Sequence, residues 1–89
     1  MARVQLDQLQ KCELAAAAGQ SDALFNLGLL YSTGKGVPVD YVTAHKWFNL
    51  AAMRGSDAAR DYRAQLAREM SAGEISEAQR QAREWLSNH

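Results

Sequence analysis

Apolar residues recur along this chain every three or four positions, with polar residues between them, almost from end to end. In the stretch DALFNLGLLYST, for instance, Ala23, Leu27, Leu30 and Tyr31 fall on one side of a helix. The same period predicts five helices: 4–18, ending at Gly19; 21–33, opened by Ser21 or Gln20 and closed at Gly34; 41–54, capped by Asp40 and stopped by Gly55; 57–70, with Ser56 as N-cap; and 72–87. The fifth opens with a capping box, in which Ser71 bonds the Glu74 backbone N–H and the Glu74 side chain reaches back. Its apolar face reads Ile75, Ala78, Ala82, Trp85 and Leu86. There is almost no strand signal, so the expected class is all-α, and the short connections predict antiparallel neighbours.

Laid over itself, the chain repeats at an offset of 36 residues. Leu14 falls on Leu50, Ala15 on Ala51, Ala16 on Ala52, Gly19 on Gly55, Ala23 on Ala59 and Leu30 on Leu66. A fixed offset of that size marks a helical repeat, each unit a helix pair that cannot bury its apolar face alone.

The residues from Ala23 to Gly55 carry a family resemblance. Ala23, Leu27-Gly28, Tyr31, the corner Gly34-Lys35-Gly36-Val37-Pro38, Asp40-Tyr41, Ala44, Trp47-Phe48, Ala51-Ala52 and Gly55 together resemble a Sel1-like repeat, a relative of the tetratricopeptide repeats. The resemblance implies a right-handed α-α superhelix, or solenoid, of about five antiparallel helices in one domain over 1–89. Within it, 4–18 resembles the second helix of a preceding unit, 20–55 is a full repeat, and 56–87 is a divergent C-terminal capping helix pair. The divergence is visible at Arg63 and Ala64, which stand where Leu27 and Gly28 stood. Gly28 and the Ala51-Ala52 pair are expected to let helix backbones approach, and Trp47 and Phe48 to fill the space between one helix pair and the next. Tyr31, Tyr41 and Trp85 are expected in the core with them, and Cys12, on the stripe of Leu9, Ala15 and Ala16, as a small buried hydrophobe.

In such a solenoid the first helix of each pair lines the concave side. One stripe of the second helix reads Asp22, Asn26, Leu29 and Thr33, and the repeat offset carries it to Ala58, Tyr62, Gln65 and Glu69 in the fourth. These eight are the candidate partner-binding residues. The two sets share spacing but not chemistry, as suits positions that read a partner. Asn26 is similar to the tetratricopeptide position whose amide grips a peptide backbone or carboxylate; bonding to a neighbouring helix is the other role open to it. Tyr62 is open to burial as well as to contact with a ligand.

Composition narrows the remaining classes. Ten Lys and Arg balance ten Asp and Glu, which leaves no electrostatic footprint for nucleic acid or an anionic membrane. No apolar run approaches the roughly 18 residues of a membrane span. Asp7, Lys11 and Glu13 interrupt the N-terminal stretch where a signal peptide would be uniformly apolar, so the cytoplasm is the default expectation. A lysine between two glycines in STGKGVPVD invites comparison with a phosphate-binding loop. That loop needs a glycine five residues before the glycine of its Gly-Lys-Ser/Thr, and a preceding strand, and neither is present. The single Cys12 with only His45 and His89 makes no metal pattern, and no cofactor is expected. His45, beside Lys46, is expected on a solvated helix face rather than as a catalytic base, and no catalytic set is found. The interleaved charges of 57–84, with Asp57–Arg60 and Glu77–Arg80 at i,i+3 spacing, read as a solvated face. The expected function is therefore that of a non-enzymatic protein-interaction module, a small adaptor or regulator holding a peptide or helix of another protein. The alternative is a self-assembling homodimer, for which the small-residue surface of CELAAAAG offers a docking face.

Overall fold

The protein was analysed as a computed structural model, which describes the backbone of residues 3–89 and the side chains of residues 9–89. Five helices follow one another: α1 (Arg3–Ala17), α2 (Ser21–Thr33), α3 (Tyr41–Met53), α4 (Asp57–Ala67) and α5 (Ala72–Asn88). Most of their ends are set by local chemistry. Asp40, extended at φ −148°, accepts from the Thr43 backbone N–H at 3.1 Å and from its hydroxyl at 2.7 Å, opening α3. Ser56 accepts from the Ala59 N–H at 3.1 Å and opens α4. The Ser71–Glu74 capping box opens α5 with both reciprocal bonds made. At α2 the N-cap is Gln20, without a side-chain bond.

The corner 34–40 closes on itself. Gly34 is left-handed at φ 75°, and its N–H and that of Lys35 both donate to the Leu30 carbonyl, at 2.9 and 3.2 Å. The Asp40 N–H returns to the Tyr31 carbonyl at 2.9 Å. Backbone donors that a phosphate would need are thus spent on the end of α2, and the glycine-flanked lysine is a corner residue.

The core is built from small and large residues in close alternation. Leu24, Leu27, Phe48 and Leu50 are fully buried, and Ala16, Ala44, Ala51, Ala59 and Ala82 are buried among them. Gly28 is the closest approach. A Cβ there would overlap the Phe48 ring, so the glycine exists to seat that ring against α2. Phe48 then spans to α4, its ring centroid 5.5 Å from Tyr62 and 5.8 Å from Phe25. Trp47, one residue earlier, turns to α5 and meets Trp85 edge to face. Each aromatic of the Trp47-Phe48 pair thus serves a different neighbour. The stack measures 41 × 24 × 22 Å.

Four expectations are corrected. First, α4 ends at Ala67 rather than 70, because Arg68, Glu69 and Met70 tighten into i→i+3 bonds to Gln65, Leu66 and Ala67. Second, Tyr41 is exposed, since it begins α3 at the rim of the corner and not in its middle. Third, His45 is only 3% exposed, because α4 covers that side of α3, where Arg63 hydrogen-bonds Asn49. Fourth, α4 and α5 do not form the tight antiparallel pair that α2 and α3 form; α5 packs mainly on α3. The physical reason is on α4. Where α2 offers Leu24, Leu27, Gly28 and Tyr31 to its partner helix, α4 offers Arg60, Arg63, Ala64 and Ala67, a surface with little apolar area to bury.

Candidate partner-binding face

The predicted stripe is on the surface. Asp22, Asn26, Thr33, Ala58, Tyr62, Gln65 and Glu69 are exposed and Leu29 is half-buried. The structure gathers them into two hollows rather than one continuous groove. The first, of about 460 Å³, lies where α1 meets α2 and is lined by Cys12, Asn26, Leu29, Leu30, Thr33 and Lys35. The second, of about 510 Å³, lies where α2 meets α4; Phe48, Tyr62, Gln65, Leu66 and Glu69 form most of its lining, with Ser32 and Arg68 at its edge. Asp22 and Ala58 line neither hollow.

The two hollows are one site built twice. At the 36-residue offset Cys12 becomes Phe48, Asn26 becomes Tyr62, Leu29 becomes Gln65, Leu30 becomes Leu66 and Thr33 becomes Glu69. Each hollow thus takes one side chain from a second-type helix, α1 or α3, and most of the rest from the next first-type helix and the turn after it; the second adds Ser32 from α2. Even Glu69, outside the helical register, keeps its place. The stripe alone missed Cys12 and Phe48, although the alignment of Leu14 with Leu50, carried back two residues, pairs them.

The chemistry of the two differs. In the first, Thr33 donates its hydroxyl to the Leu29 carbonyl at 2.7 Å and so presents mainly its methyl group. The Asn26 amide makes no side-chain hydrogen bond among the described residues, leaving two donors and a carbonyl oxygen for a ligand. In the second, Tyr62 lies edge-on to Phe25 at 5.3 Å and tilted on Phe48, which fixes its ring and turns its phenol outward. Tyr62 therefore both packs and faces solvent.

A separate polar cleft of about 300 Å³ lies between Lys46 on α3 and the end of α5. Its groups are already engaged. Arg80 bonds both Glu77 and Glu84, His89 stacks on Trp85 at 4.1 Å, and the Lys46 ammonium sits 4.4 Å from the Trp47 ring centroid. Partial burial holds the Lys46 pKa below its ordinary value, an effect that Glu84 opposes. Among the described residues no group of three His, Cys, Asp or Glu stands together as a metal site, and no helix is long and apolar enough to cross a membrane.

Comparison with known proteins returns one family. The model described as Sel1 repeat matches residues 21–56 and 63–87, well over half of the chain. The second match spans the end of α4 and most of α5, where Ala82-x-x-Trp85-Leu86 repeats Ala44-x-x-Trp47-Phe48. No curated protein and no solved structure matches the chain.

Proposed function

The chain belongs to the Sel1 repeat family, whose repeats mediate protein–protein interaction, and we propose that it is a small adaptor or regulator that captures a peptide or helix of a partner protein. The observation that carries this reading is the duplicated hollow. Two equivalent, differently lined sites one repeat apart suit a partner segment that runs along the stack and inserts one side chain into each. The first hollow accepts an aliphatic side chain against Leu29 and Leu30, with Asn26 placed to hydrogen-bond the segment's backbone. The second accepts a side chain against Tyr62 and Phe48, with Gln65 and Glu69 as polar rim.

Affinity capture from native lysate tests it, with the wild-type chain and an Asn26→Arg/Gln65→Arg variant shown to be folded by circular dichroism. The expected result is a protein retained by the wild type and lost by the variant. A partner retained equally by both would remove the hollows from its binding site.

One observation favours self-assembly as a second reading. Leu14 is 72% exposed, whereas its repeat equivalent Leu50 is 1% exposed. A copy of the chain that covered Leu14 would restore to α1 the burial that α3 already has. Sedimentation over a concentration series decides it: this reading requires a dimer that Leu14→Glu dissociates.

A further inference from the structure

In the first repeat, α2 receives its partner helix on the side formed by Leu24, Gly28 and Tyr31, and the Phe48 ring sits on Gly28. The same side of α4 carries Arg60, Ala64 and Ala67, with Arg63 at the position of Leu27. Among the described residues no helix lies there. Arg60 and Ala64 are exposed, and α5 packs on α3 instead. The border is supplied by α3, through Asn49, which accepts from Arg63, and Met53 one turn further along the same face. Met53 is 59% exposed, a large apolar side chain left at the edge of an uncovered strip.

We propose that this strip docks an acidic amphipathic helix of a partner protein, in the place that the second helix of a repeat occupies. Ala64 and Ala67 have side chains small enough for a helix backbone to come close, and Met53 is an adaptable anchor for an apolar side chain. Arg60 and Arg63 set the charge. Among the described residues Arg60 makes one ion pair, with Asp57 at 4.0 Å and in open solvent, a contact weak enough to exchange for a partner's carboxylate. A neutral or basic helix would cover the Arg60 guanidinium without pairing it and leave the Arg63 charge, hydrogen-bonded to the Asn49 amide, without a counter-ion, which costs desolvation. Asp57 stands in the first turn of α4 and Asp61 lies about 100° round the helix from Arg60, on the side away from Arg63, so the partner's acidic residues fall on the Arg63 side of the strip. A second copy of this chain is the poorer fit, because the Glu77 and Glu84 carboxylates of α5 are already held by Arg80. The strip lies roughly 200° round α4 from Tyr62, at 100° per residue, so it is a surface distinct from the hollows and independent of what they bind.

A synthetic amphipathic helix with a leucine seam and glutamate flanks, and its counterpart with lysine flanks, are titrated into the full chain while backbone amide NMR shifts are followed. The expected result is that the acidic peptide alone binds and shifts the amides of Met53, Arg60, Ala64 and Ala67. Arg60→Glu, an exposed change, should weaken it about tenfold at low salt, and Met53→Asp should weaken it as well. Asn26→Arg, in the first hollow, should leave it unchanged. Equal binding of both peptides, no binding, shifts centred on Asn26 and Tyr62, or indifference to Arg60→Glu would each overturn the proposal. So would sedimentation showing a dimer that Arg60→Glu dissociates, since the strip would then belong to a second copy.

Discussion

Trp47 and Trp85 meet edge to face, their ring centroids 6.1 Å apart and their planes at 82°. They stand at matching places in Ala44-x-x-Trp47 and Ala82-x-x-Trp85, 38 residues apart, and they join α3 to α5 where α4 does not. Trp85→Ala should therefore cost about 3–5 kcal/mol in urea denaturation, enough to unfold much of a chain this small. A double-mutant cycle with Trp47→Leu and Trp85→Leu, which removes the aromatic rings, should give a coupling of about 0.5–1.5 kcal/mol. Additive effects would mean that the rings pack beside each other without the edge-to-face interaction.

Gly28→Ala places a methyl group in overlap with one side of the Phe48 ring, and the backbone of α2 or the ring must move. The expected destabilisation is about 1–3 kcal/mol, against the usual gain from replacing glycine with alanine in a helix. Phe48→Leu should relieve part of it, so that the double variant is more stable than the sum of the two single changes predicts. A stabilised Gly28→Ala protein would show that the ring is not seated on that glycine.

Burial, with the positive charge of Arg63 nearby, holds the His45 pKa below its ordinary value of 6.5. The sign follows from which state takes the proton. Below pH 6.5 the unfolded chain protonates this histidine before the folded chain does, so stability should fall as pH drops below 6.5 and level off once the folded-state value is passed. Above 6.5 the residue contributes no pH dependence. Urea midpoints measured against pH should lose this limb in His45→Leu. At neutral pH the same substitution should be close to neutral, because the buried His45 Nδ1 has no hydrogen-bond partner to forfeit.

The Asp40 carboxylate holds both the backbone and the hydroxyl of Thr43 at the point where the corner becomes α3. Asp40→Ala should cost about 1 kcal/mol, and Asp40→Asn less, measured as a shift in thermal midpoint. Equal losses in the two variants would assign the effect to charge rather than to the cap.

Much of this molecule is legible in the order of its residues, because much of it is decided within a few positions. Caps at Asp40, Ser56 and Ser71, the left-handed turn at Gly34 and the helical period are each satisfied by neighbours in sequence, and the helix bounds follow to within one to three residues. The 36-residue repeat likewise sets Asn26 over Tyr62 and Thr33 over Glu69 by sequence alone. The burial of His45, the exposure of Tyr41 and the division of one stripe into two hollows were settled only by which helix covers which face. The same holds for the attachment of α5 to α3: Arg63 and Ala64 announced a divergence on α4, but its outcome depended on Trp47, sixteen residues earlier, offering Trp85 a better surface. Periodicity shows that a face must be buried. Which partner buries it is a competition among apolar areas far apart in the chain, and only the assembled structure resolves that.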